Sequence, residues 1–544
     1  MNPAVRQRRS QWLAATLAAL ALALFCAGCA APGTYTNPIL YADYSDPDVI
    51  RVDDDYFLVA SSFHFSPGLP VLHSKDLVHW RIAGHVLDRL DFHPAYDMVP
   101  PYTLTDATSK PVGPGMRYAG GVWAPSIRHH AGRYYVYWAT PDEGIFMSSA
   151  AHPAGPWTKP VTVLAGPGYE DPCPFWDDDG KAWLVHSKVG AGPLILHAMR
   201  ADGTALLDAG ITIVEDKVNL PVLEGPKLYK RNGWYYIFAP IGGVGTGPQA
   251  VLRARQITGP YEYRTVLHPG NGLAGPHQGG YVETPSGQGW FIHFNSTGAF
   301  GRIAHLQPVT WRDAWPVIGN GGLPVLEHQV PQMAGSGYRL QDSDEFAQPA
   351  LGLQWSWNHN PDAARWSLTE RPGFLRIGAT RARHLVGARN TLTQILQGPA
   401  SEITTRIELQ GMAEGQRAGL VLFGVKVPWI GVVREDGINH LTYANAGAET
   451  RGARIDADAV ILRATVTADQ HVRFAYALDG QGAFTNFGPA TPLAKFSWWK
   501  GSRPAVFTYV RSDADEPKAA HAGPLARDYI DVDWFRVRVL QGEP

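Results

Sequence analysis

The stretch DDDGKAWLV (177–185) decides the fold, because variants of it recur along the N-terminal half of the chain. A turn rich in Asp, Asn or Gly leads into a run of aromatic and aliphatic residues, which is typical of a hairpin entering a buried strand. The other copies are DDDYFLVA (53–60), HAGRYYVYWA (130–139), RNGWYYIFA (231–239) and SGQGWFIHF (286–294). Five copies of one phrase predict five similar β-units.

The spacing of these copies indicates what the units are. Their lead aromatic residues are separated by 78, 49, 51 and 56 positions, and they are Tyr56, Tyr134, Trp183, Trp234 and Trp290. A period near 50 residues matches one four-stranded propeller blade. We therefore predict an all-β protein with a five-bladed β-propeller over residues 30–340. The long first interval predicts an insertion around residues 88–116.

Composition limits the classes of partner. The formal net charge is −2 and charged residues make up 18% of the chain, whereas aromatic residues reach 11%. This balance gives no electrostatic reason to expect nucleic acid as a partner. A neutral ligand such as an oligo- or polysaccharide suits such a surface, and we expect no required cofactor.

The N-terminus predicts export. Arg6, Arg8 and Arg9 precede an apolar run that is too short for a comfortable membrane span, and small residues follow it. We assign residues 1–29 to a signal peptide. Its end, CAGC (26–29), resembles a bacterial lipobox, so Cys29 would carry the lipid and provide the only membrane attachment. This predicts an outer-membrane or cell-surface lipoprotein; a plainly cleaved signal peptide would instead give a periplasmic or secreted protein.

Residues 10 to 13 positions before each lead aromatic should begin the innermost strand of each blade. They are Asp46, Ala124, Asp171, Glu224 and His277. Because the inner strands line the central channel, these side chains should ring its mouth. Three carboxylic acids crowded together are costly unless chemistry uses them.

The acids near these positions have simpler interpretations. Asp43 and Asp48 are expected to be turn or solvent residues. Glu170 adjoins Asp171, but side chains alternate along a strand, so we expect only one of the two to point inward. Asp46 itself could cap an Asp-Pro turn, and His277 could be a core histidine.

A set of acids in different blades suits glycoside cleavage. One carboxylic acid protonates the leaving oxygen, while a second carboxylate activates water on the opposite face of the sugar in inverting enzymes. A third acid beside the proton donor would hinder its ionisation by like-charge repulsion.

The motifs themselves resemble glycoside hydrolase family 43. They are SDPDVIR (45–51), SSFHFSPGLPVLHSKDLVHW (61–80), WAPSI (123–127), EDPCPFWDDDGKAWLV (170–185), EGPKLYK (224–230), PHQGGYVET (276–284) and GRIAHLQPVTW (301–311). The resemblance implies an inverting β-xylosidase, α-L-arabinofuranosidase or arabinanase. It also implies Asp46 as general base, Asp171 as the residue that modulates the donor's pKa, and Glu224 as general acid.

The same resemblance implies the substrate contacts. Arg302 is similar to the family's substrate-gripping arginine, and a guanidinium suits sugar hydroxyls. His277 matches a central histidine that in some members binds or lies near calcium, so a structural calcium in the channel is an expectation. Sugar-stacking candidates, each equally compatible with the propeller core, are Phe63, Phe65 and Trp123. Ser66 stands where close xylosidases often carry an aromatic residue, which leaves xylose and arabinose both open.

The repeated phrase ends before residue 341. Residues 341–544 contain alternating strands such as 418–425, 461–466 and YIDVDWFRVRVL (529–540), which predict a β-sandwich domain. It resembles the C-terminal sandwich of many family 43 exo-enzymes, where such a domain packs on the propeller and lends a loop to the pocket.

Two classes of function fit these observations. The first is an exo-acting pentosidase on xylan- or arabinoxylan-derived glycans. The second is a non-catalytic, glycan-binding surface lipoprotein. An endo-arabinanase is the nearest enzymatic alternative, although such enzymes commonly lack the sandwich. The presence of all three acids favours the exo-acting enzyme.

Overall fold

The computed structural model describes residues 33–98, 115–331, 337–478, 482–493, 499–512 and 528–540. This part of the chain is almost entirely β-structure, with 3-10 turns at Pro94–Asp97, Gly298–Phe300, Ala363–Arg365 and Leu385–Gly387. None of the described helices is long and apolar enough to cross a membrane. The predicted signal peptide and Cys29 lie outside the described residues.

Five antiparallel four-stranded sheets follow one another along the chain. Blade I consists of Asp48–Val52, Asp55–Val59, Gly68–Ser74 and Trp80–Leu87. Blade II consists of Trp123–His130, Arg133–Thr140, Gly144–Ala150 and Val161–Ala165. Blade III consists of Tyr169–Trp176, Ala182–Lys188, Leu194–Met199 and Ile211–Val214. Blade IV consists of Lys227–Arg231, Trp234–Pro240, Gln249–Ala254 and Glu262–Leu267. Blade V consists of His277–Glu283, Gly289–Ser296, Arg302–Arg312 and Trp315–Ile318.

The predicted five-bladed propeller is thus confirmed, and so is the interpretation of the repeated phrase as one copy per blade. Each lead aromatic residue lies on the second strand of its blade. Buried apolar side chains form a separate cluster between every two neighbouring blades, including blades V and I. Burial of these faces is the main favourable term for such a fold. The predicted insertion falls in the first interval, and residues 99–114 of it lie outside the described part.

The segment before blade I, around Asn37 and Leu40, binds to blade V and so links the last blade to the first. The side chain of Asn37 exchanges two 2.8 Å hydrogen bonds with the backbone of Leu306. The backbone of Leu40 also pairs with Ala304. This segment therefore closes the ring by lying along the third strand of blade V.

The C-terminal half is a β-sandwich, as predicted, and its two sheets enclose one apolar core. One sheet runs in the order Ala448–Ile455, Ile438–Asn445, Trp429–Glu435, Gln416–Phe423, Arg503–Arg511, Leu392–Thr393, Ser356–Asn358 and Phe65–Ser66, with Thr380–Ala382 beside Arg503–Arg511. The other runs in the order Trp366–Ser367, Leu375–Gly378, Tyr529–Leu540, Ala400–Glu408, Ala459–Val466, His471–Leu478 and Thr485–Asn486, with Thr491–Pro492 beside His471–Leu478.

The two domains share backbone structure. Phe65–Ser66, a segment of the propeller, pairs with Ser356–Asn358 and so extends a sheet of the sandwich. A mixed apolar cluster from both domains covers this junction. The sandwich is therefore fixed against blade I at the connection between its second and third strands.

Candidate active site

Within two residues of the start of each inner strand lies a residue in the left-handed backbone region. The five residues have φ between 38° and 58°, and they are Asp46, Ala124, Asp171, Gly225 and Gln278. Left-handed φ costs a non-glycine residue about 1 kcal/mol or more, and such residues cluster at functional sites. The structural equivalents in blades IV and V are thus Gly225 and Gln278, one residue later than the Glu224 and His277 expected from sequence.

Asp46 is buried and both of its carboxylate oxygens accept a short hydrogen bond. Ser61 Oγ donates to Oδ2 at 2.6 Å, and Arg302 Nη1 donates to Oδ1 at 2.6 Å. Ser61 in turn accepts a hydrogen bond from the backbone N–H of Ala124. Blades I, II and V therefore hold this carboxylate in one orientation.

Arg302 lies beside Asp46 as the sequence predicted, and it is 5% exposed. Its guanidinium also lies over the ring of Phe294, with 4.7 Å from Cζ to the centroid. A buried, always charged guanidinium next to a carboxylate suits recognition of polar sugar hydroxyls.

Three carboxyl groups from blades III and IV form a cluster. Oxygen atoms of Glu170, Asp171 and Glu224 all lie within 4.8 Å of one another, and Asp46 is not part of this group. The backbone N–H of Gly225 donates to Asp171 Oδ2 at 2.7 Å, which ties blade III to blade IV. The site therefore contains a group of three crowded acids and, outside that group, Asp46, whose charge is close enough to raise the pKa of Asp171.

The expectation that only one of Glu170 and Asp171 points inward is wrong. The left-handed φ of Asp171 (56°) interrupts the strand, and the pairing register shifts between Glu170 and Cys173. Strict alternation requires regular extended backbone. Both acids consequently reach Ser187 Oγ, at 3.4 Å from Glu170 and 3.3 Å from Asp171.

Crowding changes how these acids ionise. Burial and the charge of Glu224 raise the pKa of Asp171 to about 7. Burial and the neighbouring acids raise the pKa of Glu170 to about 9. Like charges this close cannot all ionise, so the cluster retains protons near neutral pH.

His277 connects the cluster to blade V. Its Nε2 lies 2.8 Å from Glu224 Oε1, and the ring is completely buried against Phe294. Its Nδ1 is buried and has no hydrogen-bond partner among the described residues. Calcium takes six to eight oxygen ligands, so one imidazole nitrogen does not form a calcium cage. In the described part of the chain, the one metal-sized group of His, Cys, Asp or Glu atoms excludes His277.

The three aromatic candidates are placed differently from one another. Trp123 begins the inner strand of blade II and is partly exposed, with Nε1 donating to Ala119 O. Phe63 is 2% exposed and pairs with Val122. Phe65 is fully buried, with Arg503 Cζ 3.6 Å from its ring centroid. Of the three, Trp123 has the exposure that stacking on a sugar requires.

One aromatic residue escaped the sequence analysis. Trp499 belongs to the sandwich domain, is 46% exposed, and its ring centroid lies 5.9 Å from Arg302 Cζ. No repeat or motif surrounds it in the sequence, and only the packing of the two domains brings it to the site. The sandwich thus contributes a side chain next to the propeller acids.

Comparison with known families accounts for both domains. The model for glycosyl hydrolases family 43 matches residues 35–316. The chain belongs to glycosyl hydrolase family 43. The model for the β-xylosidase C-terminal concanavalin A-like domain matches residues 343–538. The family 43 match spans all five blades and every acid described above.

Individual relatives agree with this assignment. A protein from Xylanibacter ruminicola, named provisionally as a β-xylosidase, is 42% identical over 88% of this chain and 86% of its own. A β-xylosidase from Formosa agariphila is 34% identical over 92% of this chain and 90% of its own. A non-reducing end α-L-arabinofuranosidase from Bacteroides ovatus is 34% identical over 64% of this chain and 65% of its own.

The fold also matches solved structures. A bifunctional family 43 protein with a CE part from Bacteroides eggerthii superposes with a TM-score of 0.81 at 30% identity. The match covers 93% of this chain and 64% of that longer chain. The match therefore extends over both domains of this chain.

Proposed function

We propose that this glycoside hydrolase removes single pentose residues from the ends of xylan- or arabinoxylan-derived glycans, with inversion at the anomeric carbon. β-Xylosidase and α-L-arabinofuranosidase activities are both within the proposal. The observation that carries it is that two carboxyl sites face one channel: Asp46, held by Arg302 and Ser61, and the crowded acids of blades III and IV, of which Asp46 is not a member. An inverting hydrolase requires one carboxylate on each side of the sugar.

In this proposal Asp46 is the general base. Its two oxygens already accept hydrogen bonds from Ser61 and Arg302, which fix its orientation. The remaining lone pairs are free to accept a proton from water that attacks the anomeric carbon from below the sugar. Fixed orientation matters because a general base acts only within hydrogen-bond reach of the proton it takes.

Glu224 is proposed as the general acid that protonates the leaving oxygen. It is the most exposed of the three clustered acids, and His277 holds it at 2.8 Å. Asp171 is proposed as the residue that keeps a proton available in the cluster, because two neighbouring carboxylates resist simultaneous ionisation. The raised pKa of Asp171 supports this shared-proton arrangement.

The remaining residues are proposed to bind the sugar. Arg302 offers its guanidinium to hydroxyl groups, and Trp123 offers an aromatic face to the apolar C–H surface of the ring. Trp499 is proposed to form the wall opposite the propeller, which would leave room for a chain end rather than a continuous polymer. Relatives named for xylosidase and for arabinofuranosidase activity support both sugars.

We also propose that the protein is exported and anchored by a lipid on Cys29. Support comes from the basic, apolar and small-residue segments that precede this cysteine. Cys29→Ser should release the protein from the membrane fraction. We assign no catalytic step to a calcium ion at His277, whose Nε2 is already within hydrogen-bond distance of Glu224.

The decisive assay is hydrolysis of nitrophenyl β-D-xylopyranoside and nitrophenyl α-L-arabinofuranoside, followed by natural xylo- and arabinoxylo-oligosaccharides. We expect turnover of at least one aryl pentoside and release of monosaccharide from oligosaccharides. Asp46→Ala, which removes the proposed base, is the inactive control. Binding of the oligosaccharides without turnover by the wild-type protein would support the non-catalytic alternative instead.

A further inference from the structure

Asp43 lies where the propeller meets the sandwich domain, and it has no role in the reaction proposed above. Its carboxylate is buried, three residues before Asp46. Oδ1 accepts hydrogen bonds from the backbone N–H of Arg302 and from Ser45 Oγ, both at 2.9 Å. Oδ2 accepts a hydrogen bond from the backbone N–H of Gly501 at 2.8 Å. One side chain therefore joins the start of blade I, the third strand of blade V and the sandwich domain.

The junction is built for close approach of backbones. Gly301 has φ of 75°, and a Cβ atom there would lie 2.5 Å from Asp43 Oδ1. A Cβ atom on Gly501 would lie 2.8 Å from the backbone nitrogen of Gly301. The next residue, Ser502, donates its N–H to Ala299 O at 2.7 Å. Side chains at either glycine would separate the domains at this point.

A continuous set of hydrogen bonds leads from this junction to the site. Gly501 donates to Asp43, Asp43 accepts from the backbone of Arg302, and the side chain of Arg302 donates to Asp46. We propose that Asp43 is a positioning residue that makes the placement of Arg302, and so the activity of Asp46, depend on the docked sandwich domain. The proposal rests on the roles proposed for Asp46 and Arg302.

Asp43 also helps to fix the position of Trp499, the sandwich-domain residue beside Arg302. Trp499 lies two residues before Gly501, and its ring is near the guanidinium of Arg302. One carboxylate thus sets the spacing between the sandwich-domain aromatic and the propeller arginine. Because productive binding requires the sugar to fit between such groups within a fraction of an ångström, this spacing should influence which substrates are turned over.

The charge of Asp43 acts on two buried cations of the sandwich domain. Lys500 and Arg503 are both buried, and the charge of Asp43 favours the protonated form of each. An uncharged replacement would therefore weaken the junction even if it kept the same size. Asp43→Asn is therefore the informative variant. Its amide keeps one accepting oxygen, but it places an N–H donor where the other oxygen accepts a hydrogen bond from a backbone N–H.

The first test compares Asp43→Asn with Asp76→Asn. Asp76 is equally buried and also accepts two backbone N–H bonds, from Val78 and His79, at a turn of blade I. We expect both variants to lose thermal stability. Only Asp43→Asn should lower kcat on aryl pentosides, by about 10- to 100-fold, because misplacement of reacting groups by about 1 Å costs this much.

A second variant and a double-mutant cycle separate positioning from folding. Gly501→Ala leaves Asp43 intact but pushes the backbones apart, and we expect it to lower kcat in the same way. Trp499→Ala should cost less in the Asp43→Asn background than in the wild type, because residues that act together are not additive.

Three outcomes decide the matter. Wild-type kcat in Asp43→Asn, or additive effects in the cycle, would overturn the positioning role while leaving the proposed function intact. Reduced kcat with non-additive effects would support it. A folded wild-type protein that hydrolyses no pentoside would overturn the proposed function and this inference with it.

Discussion

Glu170 and Asp171 are consecutive residues, yet their carboxylates share the hydroxyl of Ser187 and lie on the same side of the strand. The left-handed backbone of Asp171 produces this arrangement. Its consequence is a group of three acids that holds protons at a pH where isolated carboxylic acids have lost them.

Glu170→Gln should change activity little near pH 6. The raised pKa of Glu170, about 9, means that this acid is already neutral there. The amide mimics the neutral form, so we expect kcat/KM within about fivefold of the wild-type value. A loss of more than a hundredfold in steady-state assays would show that Glu170 works as an ionised carboxylate.

The same variant should be more stable than the wild type in alkali. The pKa of Glu170 is higher in the folded than in the unfolded chain, so its ionisation in the unfolded chain disfavours folding as pH rises from about 4.5 to about 9. We expect the melting temperature of Glu170→Gln to exceed that of the wild type at pH 9 and to match it near pH 4.5. An equal difference at both pH values would contradict this assignment.

Asp171→Asn should affect activity far more than Glu170→Gln does. It removes the charge that opposes ionisation of its neighbours, so the cluster should release its proton at lower pH. We expect kcat/KM to fall by about 10²–10⁴-fold and the basic limb of the pH–rate profile to move to lower pH. An unmoved basic limb would mean that another group carries the proton.

Glu224→Ala should show an effect that depends on the leaving group. Poor leaving groups need protonation, so natural oligosaccharides should lose about 10²–10⁴-fold in rate. Activated aryl glycosides barely need the proton and should lose much less. Equal losses on both classes would assign Glu224 a role in binding, and Glu262→Ala, on an exposed outer strand, is the matched control.

Lys500→Met tests the charge buried between the domains. Burial and Arg503 lower the pKa of Lys500 to about 7, below its unfolded value. Below that pH, Lys500 is charged in both the folded and the unfolded protein, so folding carries the full cost of burying the charge. This cost declines as pH rises towards about 10, because the unfolded protein then also loses the proton. The variant's gain in melting temperature should therefore be larger at pH 6 than at pH 9. A gain that grows with pH would contradict the assigned shift.

The sequence predicted the architecture well because the blades repeat a local phrase. Each turn and lead aromatic specifies a hairpin without help from distant residues, and alternating strands such as 529–540 specify the sandwich in the same way. The pairing of Phe65–Ser66 with the sandwich was not predictable, since it joins segments almost 300 residues apart. Phe65 consequently lies in the domain junction rather than at the exposed surface.

The site was predictable where motifs marked it and not where the backbone departed from regular geometry. The structure brings Asp46, Asp171, Glu224, His277 and Arg302 to one channel mouth. Glu170 was missed because alternation fails at a left-handed residue. Asp43 was expected to be a turn or solvent residue, but it is buried. The sequence did not reveal this because its partners Arg302 and Gly501 follow it by 259 and 458 positions. Trp499 was missed for the same long-range reason.

The central claim is single displacement by water activated at Asp46. Proton NMR of the reaction in its first minutes measures it directly, because the anomeric signal of the first-formed sugar appears before mutarotation mixes the two forms. From an aryl β-D-xyloside we predict α-xylose as the first product. β-Xylose as the first product would contradict the account, since retention requires a carboxylate to act as nucleophile.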